Sequence, residues 1–291
     1  MNYTILDSTH RAVIILEGFF SATMRRTLSK WAVDLFDFIG NGIIMMLHDA
    51  GFTIILLFET LFYLKNIISK RGEIFKQMYI AGVKSLLVCS LVALFTGMIL
   101  SLQAGIEFAV YQQEALVGNL VIASMTREMG PLMTAIVLTA SVGSAMAAEI
   151  GTMKVSEEID ALDMMAISPV KFLVMPRVVA LSIMLPVMTI YTNTLGTFGG
   201  GIVAKYQLGV SYDVYYAHVI ESLKFKATYV GLLKAYVFGV IISGVSCARG
   251  LRAKNGAIGV GHATRSSVII SFLMVIIVGY FITSIFYGKS L

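Results

Sequence analysis

Five apolar runs, each long enough to cross a bilayer, decide what this chain can become. They lie at about 83–103, 115–148, 176–204, 229–248 and 268–287. A hydrocarbon core is crossed by about 20 apolar residues in a helix. Inside lipid every backbone N–H and C=O needs a partner within its own segment, and a helix supplies one. The fold class is therefore all-α: a polytopic membrane protein with five transmembrane helices. The composition agrees, with 57% hydrophobic and 13% charged residues in a chain of 291, against roughly 25% charged in a soluble domain. The second run is too long for one straight crossing, and Gly130-Pro131 marks its expected bend. Pro186 marks another inside the third run.

The chain ahead of the first span has a different character. Phe52–Leu64 is apolar, but it has only 13 residues and contains Glu59. It is expected to be interfacial or re-entrant rather than spanning. Residues 1–37 form an amphipathic extension, with His10, Arg11, Arg25, Arg26 and Lys30 among apolar neighbours. The run Ala12–Phe20 is short, holds Glu17 and lacks a small-x-small site after it, so no signal peptide is expected.

Charge sets the sidedness. With the N-terminus, the segment 149–177 and the 249–267 loop on one side, that side holds sixteen Lys/Arg and the other six. The positive-inside rule makes the first side cytoplasmic and puts the C-terminus outside. Tyr206, Tyr212, Tyr215 and Tyr216 then fit an outer aromatic belt. Small residues mark helix contacts at Gly196, Gly200 and Gly201, and at Ala140, Ser144 and Ala148. Packing within one subunit is the expectation for each ridge.

Several chemistries are excluded. No G-x-x-x-x-G-K-[ST] loop exists, so the chain is not itself a P-loop ATPase. GAIGVGHAT at 256–264 follows no strand and is taken as a loop. No Ser/His/Asp arrangement or H-E-x-x-H is present, and the four histidines show no metal-ligand spacing. Cys89 and Cys247 sit in apolar contexts, unlike a disulfide framework. No basic tract with interleaved aromatics points to nucleic acid. The chain is expected to be non-catalytic, with no cofactor of its own.

Two features carry function. The first is the polar insert Glu149 to Arg177, EIGTMKVSEEIDALDMMAISPVKFLVMPR. Val155, Ile159, Leu162 and Met165/Ala166 fall at helical spacing, while Lys154, Glu157, Glu158, Asp160 and Asp163 fall mainly on the other side. A loop helix lying on lipid would read similarly, but such helices carry Lys/Arg on the polar face. Anionic lipid repels acids, so this face suits a protein partner. Ser168 caps a new helix with Pro169 at its first position.

The second feature is Arg127-Glu128 within TREMGP. Ionisable residues at membrane depth mark function or a wet cavity; the alternative is hydration at the outer interface. As sequence neighbours on a helix they cannot pair face to face. Gln103, Glu107 and Tyr111 recur at i, i+4 and i+8, giving a polar stripe at the outer end of the first span. Such a stripe beside an Arg/Glu pair suits an amphiphile. Arg127 would meet a phosphodiester, and Glu128 an amine or a residue of a neighbouring span.

The insert closely resembles the signature of the MlaE permease family, the membrane subunits of ABC transporters that move phospholipids or related lipids with MCE-domain proteins. TREMGP and GMILSLQAG (97–105) also look like family segments, and the similarity covers roughly residues 38 to 290. The resemblance implies an MlaE-like permease domain over 38–291, with a coupling helix at about 152–167 carrying Met153, Lys154, Glu157, Glu158, Asp160 and Asp163. It further implies a homodimer in a bacterial inner membrane and two cytoplasmic ABC ATPase subunits that hold ATP and Mg. It also implies an MCE-protein ring on the outer face, sometimes with a STAS-domain accessory protein inside. Gln103, Tyr111, Arg127 and Glu128 align with the family's lipid pocket between the two permeases. Rival readings are a secondary transporter, which calls for inverted repeats, and a membrane-embedded enzyme of lipid metabolism, which calls for a nucleophile or metal at membrane depth.

Overall fold

A computed structural model describes residues 47–288. The extension 1–37 and the C-terminal Lys289 lie outside them. Among them, residues 53–288 belong to one compact unit. No strand occurs among the described residues, and five helices are long and apolar enough to cross a membrane. They run over Arg71–Ala109, Glu114–Val155, Val170–Tyr206, Phe225–Leu251 and Gly256–Tyr287. Each contains one of the five apolar runs. The second has 42 residues, about 63 Å at 1.5 Å per residue, so it projects well beyond a hydrocarbon core of about 30 Å.

Local chemistry subdivides these helices. Residues 47–63 form α1. The first span joins α2 (Arg71–Gly82) to α3 (Leu86–Ala109) through a 3-10 turn. The second joins α4 (Val117–Ser124), α5 (Gly130–Leu138) and α6 (Ser144–Val155) through π turns at Met125–Met129 and Thr139–Gly143. The first π turn sits immediately before Gly130-Pro131, the expected bend. Pro131 has no N–H, so the Arg127 carbonyl loses its ordinary i+4 donor. After a short α7 (Glu158–Met164), the third span enters through a π turn, Val170–Val174, into α8 (Met175–Tyr206). Pro186 lies inside α8 without ending it. α9 (Tyr212–Ser222) crosses the far end, and α10 (Phe225–Leu251) and α11 (Gly256–Tyr287) close the bundle. GAIGVGHAT, expected as a loop, is instead the first turns of α11.

α8 and α10 form the centre, with 72% and 67% of their most apolar windows buried. α11 is outermost at 11%, and it exposes Phe272, Ile276 and Phe281 where lipid would lie. Leu138, Val142, Leu185, Phe238 and Ile242 share one core cluster. Lipid tails are as apolar as these side chains, so close packing holds the helices together more than burial does. At the α3–α8 crossing, a Cβ on Gly97 would lie 1.8 Å from the Gly196 carbonyl oxygen. One on Gly231 of α10 would lie 2.0 Å from the Thr126 carbonyl oxygen. The Gly196/Gly200 ridge is thus consumed within the subunit. Ala140, Ser144 and Ala148 are not buried. In α1, Leu57 sits against Gly244 of α10, where a Cβ would come within 2.8 Å.

Candidate functional site: a charged node at one end and a polar insert at the other

The first π turn presents Arg127 and Glu128 in different directions. Glu128 turns inward to α10, where its Oε1 accepts from Lys234 Nζ at 2.6 Å. Lys234 also donates to the Arg127 carbonyl at 3.0 Å, the oxygen that Pro131 leaves short of a donor. Its third contact is the Thr283 hydroxyl of α11 at 2.7 Å. That hydroxyl is 2.9 Å from Glu128 Oε1. An ammonium has three donors, and here each meets an acceptor. Three spans are tied by one side chain that is 1% exposed. Sequence reasoning missed Lys234 by counting it with the outer charges. The available signal was a lysine within an apolar run, which is costly unless paired.

Arg127 turns the other way. Its guanidinium carbon lies 4.1 Å from the Tyr287 ring centroid, and Lys226 Nζ lies 5.3 Å from the same ring. Arg127, Lys224, Lys226 and Tyr287 line a cavity of about 470 Å³ with the apolar Leu116, Leu120 and Ala123. Gln103, Glu107 and Tyr111 are exposed and do not line this cavity. Gln103 and Glu107 stay one turn apart on α3. Tyr111 lies past its end, in a turn where its N–H donates to Phe108 O at 3.0 Å. The structure therefore groups Arg127 with Lys224 and Lys226, and Glu128 with Lys234, rather than all five residues on one wall.

A second pocket of about 370 Å³ lies across α4, lined by Thr126, Asn193, Thr197, Phe198 and Tyr216. Tyr215, expected in an outer aromatic belt, is fully buried instead. It pins α9 to α8 by donating to Thr197 O at 3.0 Å. A Cβ on Gly200 would come within 2.7 Å of its hydroxyl, so the phenol fits only because that position is glycine. Burial raises its pKa above the ordinary tyrosine range, with neighbouring Tyr216 adding to the shift.

At the opposite end, the insert departs from one continuous helix over 152–167. Met153 and Lys154 belong to the last turn of α6, which ends at Val155. Glu157 adopts a left-handed conformation, φ 61°, and breaks the run before α7. Glu158, Asp160 and Asp163 lie on α7, and Lys154 reaches across the break to pair with Asp160. The apolar face divides. Ile159 is buried at 3%, whereas Met164 and Met165 are 89% and 62% exposed. Ser168 caps as expected, its hydroxyl accepting from Lys171 N at 3.4 Å. The insert's two ends are clamped together: buried Arg177 donates to Glu149 Oε2 at 3.0 Å and to Leu173 O at 3.3 Å. Beside this clamp lies a cavity of about 710 Å³, bordered by Lys76 and Gln77 of α2. Among the described residues no His/Cys/Asp/Glu group could hold a metal ion.

The chain is similar to known proteins. The family model described as Permease MlaE matches residues 74–285. A probable ABC transporter permease protein of Rickettsia typhi is 37% identical over 214 residues, covering 74% of this chain and 83% of that protein. One from Synechocystis is 36% identical over 220 residues, covering 76% and 83%. Protein TRIGALACTOSYLDIACYLGLYCEROL 1, chloroplastic, of Arabidopsis thaliana is 34% identical over 219 residues, covering 74% and 63%. The chain belongs to the MlaE permease family and is a multi-pass transporter permease subunit.

Proposed function

We propose that this permease moves a phospholipid or related lipid, in the bacterial inner membrane, to or from an MCE-protein ring on the outer side. A separate ABC ATPase on the cytoplasmic side drives it. The observation that carries the reading is the cavity beside α4 and the start of α10, which joins apolar walls to a cationic rim; the charge asymmetry of the chain would put it on the outer side. That pairing matches an amphiphile, with acyl chains on Leu116, Leu120 and Ala123 and a phosphate near Arg127. One relative carries a diacylglycerol lipid in its name, which also favours lipid cargo.

The insert is the proposed ATPase seat. Met164, Met165 and the acids of α7 form an exposed edge of apolar and negative groups. Force on α7 would pass through the Glu149–Arg177 clamp to the second and third spans together. The second span carries two π turns, and such turns are where a helix can shift register at modest cost. Motion there would reshape the cavity, in a homodimer that places two such cavities near each other.

The test is the assembled transporter in vesicles, read by lipid transfer and ATP hydrolysis. Ala at Arg127 should lower lipid-stimulated hydrolysis and leave the subunits associated. Lys at both Glu157 and Asp160 should release or uncouple the ATPase. Normal transfer in the first variant and full retention with full coupling in the second would refute the assignment.

A further inference from the structure

The charges around the outer cavity are one-sided. Arg127 comes from the π turn, and Lys224 and Lys226 from the start of α10. No acidic residue lines the cavity. Glu128, adjacent to Arg127 in sequence, is withheld by Lys234 and Thr283. Arg127 and Lys226 both approach one Tyr287 ring, at 4.1 and 5.3 Å from its centroid, so two like charges that repel one another share this space. The first turn of α10 borders the same space, and no side chain caps it. Its dipole adds positive potential there. An anion would relieve all three effects at once. An ammonium would meet only repulsion, because the nearby carboxylate is already paired.

We infer that this cavity selects lipid by headgroup charge. It takes a phospholipid whose headgroup is net anionic, a phosphodiester without an amine, and it rejects zwitterionic amine headgroups. Lys224 and Lys226 set that preference, and Arg127 meets the phosphate. The inference rests on the lipid-transport reading and narrows its substrate class.

The test uses the full transporter in detergent, with a photo-crosslinking residue at Leu120 on the cavity wall. Phosphatidylglycerol and phosphatidylethanolamine with identical acyl chains compete at equal concentration, and captured lipid is measured by mass spectrometry. The chain with native lysines should favour phosphatidylglycerol about tenfold, as charge-assisted pairing to phosphate implies. Lys224→Gln with Lys226→Gln should bring the ratio to about twofold, and the corresponding Arg pair should keep it, since Arg retains the charge. Excess inorganic phosphate at constant ionic strength should leave the captured lipid in place. Equal capture of both lipids, or an unchanged ratio in the Gln variant, overturns the charge preference and leaves lipid transport standing. Displacement by inorganic phosphate assigns the cavity to a free anion and also overturns it. Capture of neither lipid overturns this inference and the transport reading together.

Discussion

Glu128→Ala tests what holds a charged lysine inside the bundle. Lys234 is 1% exposed, and its ammonium is shared among Glu128, the Arg127 carbonyl and Thr283. Removing the carboxylate leaves a buried cation with two neutral acceptors. Breaking a buried pair from one side costs about 3–5 kcal/mol. The Glu128 side chain is 41% exposed, so water already screens part of the interaction. That lowers the expectation to about 2–3 kcal/mol. For a chain of this size the loss corresponds to a Tm about 3–5 °C lower. Lys234→Met keeps most of the volume and returns Glu128 to water at its exposed edge, so it should cost about 1 kcal/mol. The double variant removes the stranded charge and should therefore be more stable than Glu128→Ala alone. Thermal unfolding of purified permease in detergent, followed by size-exclusion recovery, measures all three. If Glu128→Ala shifts Tm by less than about 2 °C, or if the double variant equals the sum of the singles, Lys234 is not held by this charge.

Gly97→Ala should separate α3 from α8, because the new methyl carbon falls 1.8 Å from a backbone oxygen; Gly72→Ala, which meets nothing within 4 Å, is the matched control. The expected loss is about 3 kcal/mol or more of stability, or failure to recover folded protein, and normal recovery of Gly97→Ala would sink the crossing. Glu157→Gly should stiffen the α6–α7 junction by relieving a left-handed residue, worth about 1 kcal/mol, whereas Glu157→Ile should loosen it. Limited proteolysis at the junction reads both, and equal cleavage rates would count against the turn. Cysteines at Asp163 and Lys254 should label from the cytoplasmic side and one at Asp213 from the other; native Cys89 and Cys247 are buried and free. Labelling of 163 and 213 from the same side would break the five-span topology.

The spans were legible because lipid leaves no freedom: an apolar run of sufficient length must be a helix, and each run lies inside one. The interruption of the second span before Gly130-Pro131 was legible because Pro131 removes a donor that nothing in the helix replaces. The charged node was only half legible. Arg127 and Glu128 announced a cost, but the residue that meets it lies 106 positions away, in a span whose own pattern accommodates it. Helical spacing also hid how neighbours diverge. Arg127 and Glu128 differ by one residue, and that single step sends one to a cavity and the other to α10.

The insert shows the same limit more sharply. Val155, Ile159, Leu162 and Met165 keep an unbroken helical period, and the period says that they share a face. It does not reveal the break at Glu157, because a left-handed turn here is made without glycine or asparagine, the residues that ordinarily signal one. Nor does it say what covers the face. Ile159 is covered by the permease itself, whereas Met164 and Met165 stand out from it. A methionine pair beside acids, at the end of the second and third spans clamped by Glu149 and Arg177, is what a surface needs if another protein is to seat there and pull on both helices at once. Periodicity finds the amphipathic segment. Only the exposure that survives folding separates the residues that hold the insert to its own chain from those that stand free of it.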